Sequence, residues 1–184
     1  MTDTALVVVD MLNNYRHPDA ETLAANAAAM VEPLADLLRR CRASADVDQI
    51  YVNDNYGDFT TGFSGLVASA LEGARPDLVR PLVPRPGDRK MTKVRHSAFY
   101  ATPLEYLLRR LGTQRLILTG QVTEQCILYT ALDAYVRHLP VVIPVDAVAH
   151  IDVGLGAAAL EMMRRNMGVE LSSAAEIAEE ISSA

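Results

Sequence analysis

The sequence predicts an α/β protein whose parallel sheet carries helices on both faces. Short apolar runs without polar alternation recur along the chain, as strands buried on two sides do. Stretches of helical length lie between them, so successive strands are joined by crossovers and not by hairpins. Potentially reactive residues follow several of these runs directly.

The first run, residues 5–9, is valine-rich and ends abruptly at Asp10. A polar loop with Asn13, Asn14, His17 and Pro18 leads into an Ala/Leu-rich stretch, residues 19–41, which predicts one helix. Acids stand near its start and Arg39, Arg40 and Arg42 near its end, as the helix dipole favours. Residues 49–53 predict a second strand, with the loop Asp54-Asn55-Tyr56-Gly57-Asp58 at its carboxyl end. From Gly62 to Pro86 the chain is mostly irregular, with a short helix near residues 66–72 and four prolines after it. Long loops in compact domains tend to serve function, so this one is expected to help wall a pocket. Residues 88–94 predict a third strand.

Thereafter the alternation is clean. Thr102 as N-cap and Pro103 as first helical residue open a helix that Gly112 stops. Residues 115–119 predict a strand, 120–125 a tight turn, 126–137 a helix and 141–145 a strand ending at Asp146. Residues 154–166 predict a helix ending near Gly168, then a short strand at 169–171 and a closing helix at 174–181. No repeat, low-complexity tract or linker interrupts the chain, so a single domain spanning residues 1–184 is expected.

Composition excludes several classes. Half of the 184 residues are apolar, enough for a sizeable core, and 17 basic against 23 acidic residues give a net charge of −6. No Lys/Arg run offers a footprint for nucleic acid. The apolar runs fall far short of the ~20 residues a membrane span needs, and the opening residues lack the features of a signal peptide. Two cysteines, Cys41 and Cys126, make no disulfide framework and fit a reducing, cytoplasmic location.

In open parallel sheets, ligands bind beyond the carboxyl ends of the strands at the switch point of the winding. That edge offers Asp10, Asp54, Asn55, Lys93, the run from Gly120 to Cys126, and Asp146. Cys126 at a helix start has unbonded N–H groups and a positive dipole end beside it, which favour a thiolate and can hold an oxyanion. It also fits as a small buried apolar residue. Asp10 could take the thiol proton or merely cap its own turn; Lys93 could hold Asp10 ionised and favour the thiolate, or be a solvated edge lysine. His17, His96, His138 and His150 show no metal-ligand spacing, and a Cys126–His96 dyad is the lesser alternative.

With these residues in place, the chain resembles the isochorismatase-like cysteine hydrolases, whose members include isochorismatase, nicotinamidase and N-carbamoylsarcosine amidase. The resemblance runs from Leu6 to about His150. It is carried by Val7-Val8-Val9-Asp10-Met11, Pro86-Gly87-Asp88, Lys93-Val94-Arg95-His96-Ser97-Ala98-Phe99 and Thr102-Pro103-Leu104. After these come Leu116-Ile117-Leu118-Thr119-Gly120-Gln121-Val122-Thr123-Glu124-Gln125-Cys126 and Thr130-Ala131-Leu132-Asp133-Ala134. Each piece is weak; their order and spacing together are specific. The resemblance implies a three-layer, Rossmann-like fold with a six-stranded parallel sheet in the order 3-2-1-4-5-6. It implies Asp10 as general base, Cys126 as nucleophile and Lys93 as the cation between them. It further implies a cis Gln121–Val122 peptide that turns the Val122 N–H, with that of Cys126, into an oxyanion hole.

The activity so implied is cysteine-dependent hydrolysis of a C–N bond in a small amide or carbamoyl compound, without a cofactor. The alternatives are vinyl-ether hydrolysis of an isochorismate-like compound and a non-catalytic binding subunit. Nicotinamidases carry a metal site of one Asp and two His after the second strand; here Asp54 has no histidine near it in sequence, so no metal is expected. Many relatives have Gln two residues after the catalytic Asp, where this chain has Leu12. Tyr15, Asn55, Tyr56, Phe99 and Gln121 are the expected pocket lining. A homo-oligomer is expected from the resemblance and the apolar content.

Overall fold

A computed structural model describes residues 3–183. The first two residues of the opening stretch read for a leader, and both ends of the expected 1–184 domain, lie outside the described residues.

Strand β1 (Thr4–Val9) lies at the centre of the sheet, paired in parallel with β2 (Val47–Asp54) on one side and β4 (Arg115–Gln121) on the other. Beyond β2 lies β3 (Arg89–Lys93), and beyond β4 come β5 (Val141–Pro144) and β7 (Glu170–Ser172), all parallel. The order β3-β2-β1-β4-β5-β7 matches the expected winding. A further two-residue strand, β6 (Val148–Ala149), pairs with Gly120 and Gln121 where β5 has diverged from β4. Two residues are too few to show periodicity, so β6 had no signature in the sequence.

Alternate residues of β1 feed two different cores. Leu6 and Val8 pack with Leu23 of α1 (Ala20–Ala28), Leu34 and Leu37 of α2 (Val31–Ala43), and Ile177 of α8 (Ala174–Ser183). Ala5, Val7 and Val9 pack on the other face with α5 (Leu104–Leu111), α6 (Leu128–Tyr135) and α7 (Val153–Met167). A strand buried on both faces therefore reads as unbroken alanine, leucine and valine from Ala5 to Val9. The chain between β2 and β3 holds α3 (Phe63–Leu71) and the single turn α4 (Pro76–Val79). No helix among the described residues is long and apolar enough to cross a membrane.

The single long helix expected over residues 19–41 is two helices, broken at Ala29 and Met30. Pro33 explains the break. In a continuous helix its ring would strike the Ala29 carbonyl and leave it unbonded, whereas in the first turn of α2 no intrahelical N–H is required. Likewise α5 begins one residue later than expected, with Pro103 as the cap residue, although the Thr102 hydroxyl still accepts the Leu104 N–H at 3.2 Å. The expected tight turn at 120–125 is also revised: β4 continues through Gln121, and a π-helical turn (Thr123–Ile127) then carries Cys126 into α6.

Gly120 makes this junction possible. Its φ is +113°, and a Cβ there would lie 2.0 Å from the Val9 carbonyl oxygen on the neighbouring strand. Gly120→Ala is therefore expected to force the two central strands apart. A loss of about 3–5 kcal/mol, read as a Tm lower by roughly 10 °C, follows; an unchanged melting curve would contradict this packing.

Candidate active site

The carboxyl ends of β1, β2, β3 and β4 converge on one edge, and each delivers one element of a polar cluster. Asp10 follows β1 directly with a left-handed φ of 54°, a conformation that a short polar side chain tolerates. Its Oδ1 accepts the Asp54 N–H at 2.7 Å, and its Oδ2 lies 2.8 Å from the Lys93 ammonium. Lys93 also reaches Asp54 Oδ2 at 3.2 Å and donates to Cys126 Sγ at 3.7 Å. The negative charge of the Asp10 carboxylate also acts on the Cys126 thiol. Three groups 33 to 116 residues apart in sequence thus meet around one ammonium (from Cys126 back to Lys93 is 33, back to Asp10 is 116).

Burial sets the charge states. Lys93 is 1% exposed, yet its ammonium is held above the ordinary value: burial opposes the charge, but the Asp10 carboxylate, the sulfur and Asp54 more than offset it. Burial pushes the Asp10 carboxyl up, against the pull of Lys93. The Cys126 thiol is pushed up to about 12, first by burial and then by the negative charge of Asp10, with Lys93 and the Val122 N–H acting the other way. This corrects the expectation of a resting thiolate. The helix start and Lys93 do favour ionised sulfur, but a nearly enclosed site beside a carboxylate outweighs them.

The Gln121–Val122 peptide bond is cis. In the turn that follows, the Val122 carbonyl accepts the N–H groups of Gln125 at 3.1 Å and Ile127 at 3.2 Å. Gln121 is buried between two partners, donating to the Asp10 carbonyl at 2.9 Å and accepting from the Tyr15 hydroxyl at 3.2 Å.

A cleft of about 470 Å³ opens above the cluster, with Asp10, Asp54 and Cys126 in its wall. Of the expected lining residues, Tyr56 and Gln121 are there. Three expectations are corrected. Tyr15 lies behind Gln121 and is buried by the core around α1. Asn55 is buried in its own loop, its side chain accepting the Gly57 N–H at 3.0 Å. Phe99 packs into the α5–α7 core and meets the Arg137 guanidinium, 4.9 Å above its ring, away from the cleft. Asp146 also lies elsewhere, accepting the first N–H of α8 at 2.8 Å.

The cleft includes residues that received no role from the sequence. Asn13, Asn14, Arg16 and His17 come from the loop after Asp10, Gln125 from the nucleophile turn, and Ile151 from the segment after β6. The Asn13 and Asn14 side chains each accept an N–H two residues ahead, at 2.7 and 3.1 Å. Such Asx turns are what paired asparagines signal, and their position after β1 places them at the ligand edge. Asn53 fixes the start of this loop by bonding both the N–H and the carbonyl of Leu12, at 2.9 and 3.3 Å. The far end is fastened to the α3–α4 connection, where Arg16 donates to the Glu72 carbonyl and Ala74 to that of Asn14. Ile151 had no signal at all. Among the described residues, no group of three His, Cys, Asp or Glu side chains is placed to share a metal ion.

Residues 4–176 match the Isochorismatase domain family. The chain belongs to the isochorismatase family. It is 32% identical over 177 residues to an uncharacterized isochorismatase family protein of Bacillus subtilis, YaaI, covering 96% of this chain and 97% of that one. Its structure is similar to that of a cysteine hydrolase from Pseudomonas syringae pv. phaseolicola, with a TM-score of 0.76, 27% identity, and coverage of 98% and 93% of the two chains. It is also similar to N-carbamoylsarcosine amidase from Thermoplasma acidophilum, with a TM-score of 0.71, 26% identity, and coverage of 95% and 97%. This isochorismatase-family chain is accordingly a hydrolase of a family that includes amidases.

Proposed function

We propose that this hydrolase cleaves the C–N bond of a small amide or carbamoyl compound, with Cys126 as nucleophile. The observation that carries the reading is the single ammonium of Lys93, within 2.8 Å of a carboxylate and 3.7 Å of a thiol at the wall of a cleft. Burial and the Asp10 charge both push the thiol up and disfavour a free thiolate, so its proton leaves as the carbon–sulfur bond forms. Asp10, which shares the Lys93 ammonium with the sulfur, receives that proton. Lys93 stays an ammonium throughout and keeps Asp10 ionised until then.

As Sγ attacks the carbonyl carbon, the C=O electron pair moves onto oxygen. The N–H groups of Val122, which follows the cis peptide, and of Cys126 are assigned to that oxyanion. Collapse of the adduct breaks the C–N bond, and the departing amine or ammonia takes the proton from Asp10, leaving a thioester. Water then gives a proton to Asp10 as its oxygen attacks the thioester. The departing sulfur recovers a proton from Asp10, and the acid is released. The cleft volume suits a small molecule, and the amidase among the structural neighbours supports C–N chemistry.

The test is a panel of small amides and N-carbamoyl compounds assayed for ammonia, beside isochorismate assayed for pyruvate. Ammonia release, with an acyl adduct on Cys126 detected by mass spectrometry after rapid quenching, is expected. Pyruvate release without any ammonia would overturn the reading.

A further inference from the structure

The Cys126 sulfur has a neighbour that the mechanism above does not use. His96 Nδ1 stands 4.0 Å from Sγ. The segment that carries it is fastened at both ends. Lys93, three residues earlier, is tied to Asp10 and Asp54. Two residues later, the Ala98 N–H donates to the Thr130 hydroxyl at 2.9 Å, and that hydroxyl donates to the Cys126 carbonyl at 2.6 Å. The imidazole also packs against Tyr129 of α6, with ring centroids 5.4 Å apart. Its distance from the sulfur is therefore set by the fold on three sides.

We propose that His96 is a further donor to the Cys126 sulfur, holding it with Lys93 whenever it carries negative charge. The inference rests on Cys126 being the nucleophile. A thiolate only accepts hydrogen bonds, so the imidazole nitrogen facing it must be the one that carries hydrogen. The neutral ring can meet this need. His96 also lines an open groove with Arg95, Ser97, Tyr100, Tyr129 and Asp133, where its other nitrogen can accept from water. The charged and titratable groups around the ring are Arg95 and Tyr100 from its own loop, Tyr129 and Asp133 from α6, and Lys93, Cys126 and Asp10 on the sulfur side.

The need for such a donor is greatest when the thioester breaks down. Asp10 is then receiving the proton of the attacking water, so it is not available to the departing sulfur at the same moment. Lys93 and His96 are the side-chain donors at that atom.

Alkylation of Cys126 by iodoacetamide, mapped by mass spectrometry across a pH series, reads the sulfur without any substrate. His96→Leu is expected to alkylate about tenfold more slowly near neutrality, with the rate profile moved about one pH unit upward, as loss of one bond to a charged atom implies. His96→Asn, whose amide can occupy the Nδ1 position, should recover to within about threefold. If His96→Leu does not fold, His96→Phe, which keeps a ring against Tyr129, takes its place. On whichever amide the panel identifies, kcat should fall with KM no higher. A wild-type alkylation profile in the Leu or Phe variant would overturn the role, as would equal slowing in both classes of variant without a pH shift. Failure of every amide to release ammonia would overturn the proposed function while the alkylation result still decides the role of His96.

Discussion

Cys126→Ala is expected to abolish ammonia release, by about 10⁴-fold or more, while the protein still folds. The two halves of this expectation have separate physical origins. Turnover is lost because the remaining groups at the sulfur position, Asp10 and Lys93, form a tight ion pair with no adjacent atom able to form the covalent adduct. Stability is kept because the turn is held by main-chain bonds that do not involve the sulfur. The Val122 carbonyl still accepts Gln125 and Ile127, and the Cys126 carbonyl still accepts Thr130. Removing a thiol that burial and Asp10 push up to about 12 also takes away no favourable charge. The melting temperature should move by only a few degrees, corresponding to about 1–2 kcal/mol. An alanine variant that hydrolyses amides at the parent rate would exclude Cys126 as nucleophile.

Lys93→Met should be the most damaging change to stability within the site. The ammonium is fully enclosed and neutralises Asp10 and Asp54 together. Its removal leaves two carboxylates facing each other, one of them buried, at a cost of about 3–5 kcal/mol. The sign with pH follows from the directions of the shifts. The Lys93 ammonium is held above its ordinary value, so its stabilising contribution is complete at neutral pH and is lost only as pH rises through that raised value. In the variant, Asp10 loses the cation that partly offsets its burial, and its already raised pKa climbs further. A carboxyl raised by folding costs stability above its unfolded value and ceases to do so below it. The deficit relative to the parent should therefore be largest near neutrality and narrow as pH falls toward about 4. Urea denaturation at several pH values measures this; a deficit that widens on acidification would show that the carboxylates are not the cause. Turnover should also fall by about 10²–10⁴-fold, because Asp10 without the ammonium favours its protonated form and the sulfur loses a donor.

The parallel layering and the three groups at strand ends were legible from local patterns, whereas the order of the strands came from the family resemblance. Ala5 to Val9 reads as a strand buried on two faces, and a carboxylate directly after such a strand has few places to go. Lys93 and Cys126 end or follow strands in the same way, and parallel winding brings such ends to one side. The break at Ala29–Met30 was missed: Pro33 carries a signal for it, but the Ala/Leu-rich stretch masked that signal.

By itself, then, the sequence determined the layered parallel fold, its strand order through the family resemblance, and the placing of Asp10, Lys93 and Cys126 on one edge. Tertiary structure alone decided which neighbouring side chains reach the cleft. Phe99 and Tyr15 are as aromatic as Tyr56 and, like it, come shortly after a polar residue at the sheet edge, yet the first meets Arg137, the second supports Gln121, and of the three Tyr56 alone lines the opening. The surroundings of the sulfur are set at the same level. A helix start predicts an acidic thiol, but enclosure and a nearby carboxylate act through distances that no spacing along the chain records. Chain order fixes which strand ends come together; packing density and charge at a few ångströms fix what those ends can do.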